Sequence, residues 1–215
     1  MTAATAVSTV RNTNPFSAVW MSIVVALAMI AGIALQSPAR AGESPEAMIE
    51  RLGGKAITIL ADPNASPEQR TAQFEQLFTE GFDVDLVARI VLGRYWRTAS
   101  DAEKQAFTKV FHEYIVQTYA SRLNSYSGQV FEVAGSSPIN DRETMVHSHI
   151  QQPGGDSLKV DWRILDRPEG PRIVDVIVEG VSMAISQRSE FAAVISQNGG
   201  QVSALIDRLR AQTGG

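Results

Sequence analysis

The chain has 215 residues, no cysteine and a formal net charge of −4. That leaves room for one domain with its own hydrophobic core, and it excludes a disulfide framework, thiol catalysis and thiolate metal sites. Its 19 basic and 23 acidic residues include no basic block, so nucleic acid is excluded as a partner and electrostatic adhesion to anionic lipid surfaces is disfavoured.

The first 41 residues read as an export leader rather than as domain structure. Arg11 gives a thin basic start, Ala18 to Leu35 carries no charge, and Ser37-Pro38-Ala39-Arg40-Ala41 supplies an A-x-A site. A signal peptide over 1–41 with cleavage after Ala41 is therefore expected. The apolar run is nearly long enough to span a bilayer, so an uncleaved N-terminal anchor is the alternative. Both readings export the domain 42–215. The leader holds Arg11 and Arg40 and no acid, so that domain is two charges more negative than the whole chain, near −6.

Ser44-Pro45-Glu46 opens a first helix with proline at its first position. Met48, Leu52, Ala56, Ile59 and Leu60 recur at helical spacing, Gly53-Gly54 weakens the middle, and Asp62-Pro63-Asn64 breaks the helix. Ser66 and Gln69 form a capping box for a second helix, whose apolar face is Phe74, Leu77 and Phe78 and whose end is Gly81. Asp83 caps a short helix through Leu92, stopped by Gly93. Ser100 and Glu103 then start the longest helix, expected to run to about Ser125 with an aromatic-rich stripe of Phe107, Val110, Phe111, Tyr114, Ile115 and Tyr119. Beyond Gly128 the pattern alternates: a short strand over Gln129–Gly135, then Thr144–Gln151, then Leu158, Val160, Trp162 and Ile164 set against Lys159, Asp161 and Arg163, then Ile173–Val178. The connections are of hairpin length, which makes the sheet antiparallel. A helix to about Gln197 and a last one over Val202–Arg210 complete an α+β chain: a twisted antiparallel sheet of four to five strands with helices on one face.

Four constellations invite a chemical reading. Gly180-Val181-Ser182-Met183-Ala184 follows a strand, precedes a helix and comes close to the G-x-S-x-G elbow of esterases. That elbow needs a histidine later in the chain, yet His112, His147 and His149 all precede Ser182. The structural reading is that Gly180 permits a tight turn and Ser182 caps the helix. His147 and His149 share one strand face, a zinc-like spacing that Asp161 on the next strand could complete; the alternative is two partly exposed sheet residues. Asp83 and Asp85, or Glu43 and Glu46, sit at helix starts, where acids favour the macrodipole, and receive no catalytic role. Arg94-Tyr95-Trp96-Arg97 reads either as a mouth, with arginine on a phosphate and an aromatic at the apolar–wet boundary, or as an aromatic plug with arginine in an ion pair. Arg188 poses the same choice, with Asp175 or Glu179 as the carboxylate.

Two segments carry a family resemblance. Leu92-Gly93-Arg94-Tyr95-Trp96-Arg97, together with Asp175, Val176, Val178, Glu179, Gly180, Val181, Ser182, Arg188 and Phe191, resembles the signature segments of the MlaC, or toluene-tolerance auxiliary, family; Ala184 and Gln187 depart from it. The resemblance covers roughly Glu46 to Leu209. It implies a monomeric periplasmic carrier that holds phospholipid acyl chains in an apolar pocket between sheet and helices, without enzyme activity, metal or cofactor. It would move lipid between an outer-membrane lipoprotein/porin complex and an inner-membrane ABC transporter. The lining it implies is Tyr95, Phe107, Phe111, Tyr114, Ile115 and Tyr119, facing Val146, Ile150, Val160, Trp162, Ile164, Val174, Val176, Val178 and Val181, with Arg94 and Arg188 serving a headgroup or a structural ion pair. Without the resemblance, such an apolar inventory is by default plain core. A hopanoid-associated carrier of the same family and an exported serine esterase using Ser182 are the alternatives.

Overall fold

The computed structural model describes residues 42–120 and 128–214. The expected leader and the last turn expected for the longest helix, after Ala120, lie outside the described residues. Four helices come first: α1 (Pro45–Ala61), α2 (Pro67–Gly81), α3 (Val84–Leu92) and α4 (Asp101–Ala120), with a 3-10 turn (Gly93–Arg97) between the last two. Their starts are fixed locally. Ser44 Oγ accepts the Ala47 N–H, Ser66 and Gln69 close a reciprocal capping box, Asp83 Oδ1 accepts the Leu86 N–H at 3.0 Å, and Ser100 and Glu103 cap α4.

The second half is a five-stranded meander in the order β1-β2-β3-β4-β5, antiparallel throughout: β1 (Val130–Asn140), β2 (Glu143–Gln151), β3 (Ser157–Leu165), β4 (Arg172–Val178) and β5 (Val181–Ser182). Helices α5 (Met183–Gln197) and α6 (Val202–Thr213) close the chain. The fold class is the expected α+β one, and β1 departs from expectation. It continues past Gly135 to Asn140, because pairing with β2 recruits a stretch that has no alternation of its own, and Asp141-Arg142 is left as a two-residue turn. As an edge strand, β1 tolerates Pro138. Glu179 (φ 49°) and Gly180 (φ 79°) make the β4–β5 turn, where a primed hairpin needs positive φ at both positions.

The apolar residues form two separate cores. One lies among α3, α4, α5 and α6 and centres on Phe107, Phe111, Phe191, Ile195, Leu205 and Leu209. The other joins α1 to the sheet through Met48, Ile49, Leu52, Val146, Ile164 and Ile173. Phe82 touches both, and a hollow occupies the space between them. The opposite sheet face is polar, with Lys159, Asp161 and Arg163 on β3 beside His147 on β2.

Candidate functional site

The hollow is an apolar cavity of about 750 Å³. Helix α1 contributes Leu52, Gly53, Ala56, Ile57 and Leu60 to one wall, and α2 adds Phe74, Leu77 and Phe78. Val87 and Val91 of α3, with Phe111, Ile115 and Tyr119 of α4, form the far side. The sheet supplies Phe131, Ile150, Trp162, Ile173, Val174, Val176 and Val178, and the start of α5 adds Met183, Ala184 and Gln187.

Local sequence explains how these residues converge. Gly53 lies under the Phe131 ring, where a Cβ would fall 2.3 Å from Cδ1 and Cε1. The glycine that weakens α1 thus lets the helix approach β1 closely. On β4 the register slips, so that Ile164 pairs with Ile173 while Arg163 pairs with Asp175. Val174 is the extra residue of this bulge, and both Ile173 and Val174 are buried beneath the helices. Trp162 presents its ring to the cavity while its indole N–H donates to Ser148 Oγ at 2.9 Å, and that hydroxyl donates to the Val160 carbonyl at 2.7 Å. The polar end of the tryptophan is therefore satisfied inside the sheet.

Asp175 is the one charged residue among the described cavity-lining residues, and its oxygens are committed. They accept the N–H groups of Val176 (2.8 Å) and Ala184 (3.0 Å) and the hydroxyl of Ser182 (2.5 Å). Ser182 Oγ in turn accepts the Ile185 N–H and caps α5. No histidine lines the cavity or bonds Ser182 among the described residues, so the elbow-like segment is a helix cap without a base. The cavity can enclose hydrocarbon, and among the described residues it holds no nucleophile–base pair.

Of the residues expected to line a pocket, Phe111, Ile115, Tyr119, Ile150, Trp162, Val174, Val176 and Val178 do so geometrically. The others lie elsewhere. Phe107 packs edge-on against Phe191 at 5.8 Å, and Tyr114 is tilted against the same ring at 6.2 Å, so these two belong to the helical core. The α4 stripe is wider than one partner: its 111–115–119 row borders the cavity, while Phe107 and Tyr114, with one edge of Phe111, meet Phe191 of α5. Val146 and Ile164 are sealed beneath α1, and Val160 is buried beside Ser148. Tyr95 packs on the helical core, and Val181, on the β5 edge, is 53 % exposed.

Arg94 and Arg188 also stand away from the cavity, and among the described residues neither has a carboxylate within 4 Å. Arg94 folds over the neighbouring Tyr95 ring and donates to its hydroxyl at 2.9 Å. Arg188 crosses Gly93, where a Cβ would lie 2.5 Å from its Nε. The two motif segments therefore meet through van der Waals contact, and the ion pair that is one of the two readings of these arginines is not formed among the described residues. Asp175 is used as described, and Glu179 accepts the Lys159 N–H. Sequence reasoning missed the contributions of α1, α2, Phe82, Val87 and Val91 of α3, Phe131, Ile173 and the start of α5; the Gly53-Gly54 pair was the available sign of a close approach. No group of three histidine or carboxylate side chains among the described residues is placed to hold a metal, and no described helix is long and apolar enough to cross a membrane.

Comparison with known proteins gives a consistent set of relatives. Residues 50–211 match the family described as MlaC protein. The intermembrane phospholipid transport system binding protein MlaC of Haemophilus influenzae is 26 % identical over 124 residues, which is 56 % of this chain and 57 % of that one. The toluene tolerance protein ttg2D of Pseudomonas putida is 21 % identical over 78 % of this chain and 80 % of its own length. Among solved structures, a phospholipid-binding protein of Ralstonia solanacearum, determined in complex with a phospholipid, superposes with a TM-score of 0.70 at 22 % identity, covering 79 % of this chain and 96 % of its own.

Proposed function

We propose that this chain, which belongs to the MlaC protein family, is a periplasmic carrier that encloses phospholipid acyl chains in the cavity between its two cores. The observation that carries this reading is the cavity itself: about 750 Å³, lined almost wholly by hydrocarbon and aromatic side chains. That size is within the range of small-molecule sites. The names of the Haemophilus and Ralstonia relatives support a phospholipid as cargo.

The physical case is one of transfer. Each methylene exposed to water costs about 0.8 kcal/mol, so a sixteen-carbon chain costs on the order of 13 kcal/mol and two chains roughly double that. Free passage through water is negligible at such a cost. A dry cavity offsets it, while the headgroup stays at the mouth in contact with water. The committed state of Asp175 suits this division, since its charge is already met by three donors. The leader over 1–41, removed after Ala41, exports the domain. Its lipid exchange partners are an outer-membrane lipoprotein/porin complex and an inner-membrane ABC transporter, with contacts weak enough to release. This is transport without covalent chemistry in the cavity.

The test is native mass spectrometry of the purified 42–215 domain, followed by organic extraction and lipid identification. Near-stoichiometric phospholipid is expected. A hopanoid would move the cargo to the polycyclic branch. A protein that is empty and also takes up no lipid from phosphatidylethanolamine–phosphatidylglycerol vesicles would overturn the carrier reading.

A further inference from the structure

On the polar face of the sheet, remote in sequence from Ser182, three side chains from three adjacent strands line up. His147 of β2 has its Nδ1 2.8 Å from Asp161 Oδ1 of β3, and its Nε2 3.0 Å from Ser137 Oγ of β1. Asp161 is only 8 % exposed, and its other oxygen meets Lys159 Nζ at 3.1 Å. We propose that Ser137, His147 and Asp161 form a nucleophile–base–carboxylate relay that makes the Ser137 hydroxyl reactive toward small activated carboxylic esters.

The roles follow from the hydrogen bonds. The buried carboxylate accepts from Nδ1–H, which turns the lone pair of Nε2 toward Ser137 Oγ. Ser137 is exposed, and Gly135, the Cα partner of His147 on β1, leaves open space where a side chain would otherwise stand. An ester can therefore approach Ser137 from solvent. In the reaction, Ser137 Oγ adds to the carbonyl carbon as Nε2 takes its proton. The leaving group departs with the electron pair of its C–O bond and takes the proton from Nε2, so His147 is neutral again and an acyl ester remains on Ser137. Water then adds to the acyl carbon as Nε2 takes its proton; the C–O bond to Ser137 breaks, Oγ recovers that proton from Nε2, and the acid is released. Because the face is open, a developing oxyanion stays largely in water, which limits the substrate class to esters with good leaving groups. Other charged or titratable groups on this face are Lys159, His149 with Glu132 opposite it on β1, and Arg163 paired with Glu143 at 2.8 Å.

The test uses the 42–215 domain with an alkyl fluorophosphonate to map the reactive residue and p-nitrophenyl acetate to follow turnover. The expected adduct is on Ser137, absent in Ser137→Ala and unchanged in Ser182→Ala. His147→Gln is expected to slow labelling by about a hundredfold or more, the lower end of what a positioned base contributes. Asp161 acts through His147 as a positioning residue, and its readout is rescue: Asp161→Asn slows labelling of Ser137, and the conservative Asp161→Glu restores part of the rate. Circular dichroism and lipid content of each variant report folding separately. A folded protein that is unlabelled at Ser137, or labelled equally fast in His147→Gln, overturns the proposal and leaves the carrier reading untouched.

Discussion

Filling the cavity from opposite walls should remove cargo without unfolding the protein. Ala56 lines the α1 wall one turn after Leu52 and one turn before Leu60, and Val176 lines the sheet wall. Ala56→Trp adds about nine heavy atoms and Val176→Phe about four. Each tail methylene they exclude forfeits about 0.8 kcal/mol, so loss of five methylenes weakens binding by about 4 kcal/mol, roughly a thousandfold, and loss of two or three by about tenfold to fiftyfold. The assay is displacement of a fluorescent acyl probe, together with the lipid content and chain-length profile of the purified protein. Thermal unfolding of delipidated samples provides the control. The lipid-dependent rise in melting temperature should shrink in both variants, because ligand stabilisation follows binding to the folded state, while the lipid-free melting temperatures stay close to the parent. If both variants stay folded and bind the probe at parental affinity, or if Val176→Phe is the more damaging of the two, the assignment of this cavity to the tails is refuted.

Three other perturbations follow. Gly53→Ala sets a methyl against the Phe131 ring, and urea unfolding should register a loss of about 1–3 kcal/mol from overpacking. Gly93 has φ 58° and Arg188 lies on it, so Gly93→Ala should cost about 1–3 kcal/mol or more; adding Arg188→Ala should recover the steric part and leave the backbone strain. For Asp161, burial pushes the carboxyl up, but hydrogen bonds and charge from His147 and Lys159 outweigh it; Arg163 likewise holds Glu143 low. A folded pKa below the unfolded value near 4 gives stability that is complete above about pH 6 and withdrawn as pH falls through the folded value. Acid titration by circular dichroism should show Asp161→Asn with a shallower loss below about pH 4 than the parent.

The helix starts were legible because a cap is a conversation between neighbours: Ser66 with Gln69, Ser100 with Glu103, and Ser182 with Ile185 all act within one turn. The alternation of β2, β3 and β4 was equally local. The second half of β1 was not legible, since Gly135–Asn140 takes its extended form from β2 rather than from its own residues. Periodicity marked the α4 stripe as apolar, but it could not divide Phe107, which meets Phe191, from Phe111, which also borders the cavity. Nor could it separate a cavity from a closed core. That depends on whether two apolar surfaces meet, and here Val146 and Ile164 are closed into one core with α1 while Ile150 and Val176 border the hollow.

The cavity's two flanks are fastened by different forces. On one, Asp175 draws β4, β5 and the first turn of α5 into a single half-buried knot. On the other, Arg51 and Lys55 of α1 meet Glu80 of α2 at the surface, and Arg51 also holds Glu43 in the segment before α1. Such exposed pairs contribute little each, and salt screens them. The ion pairs between α1 and α2 are thus the part of the cavity's frame that weakens as ionic strength rises, while α1 itself stays held to the sheet by Met48, Ile49 and Leu52 and the knot at Asp175 is indifferent to salt by comparison.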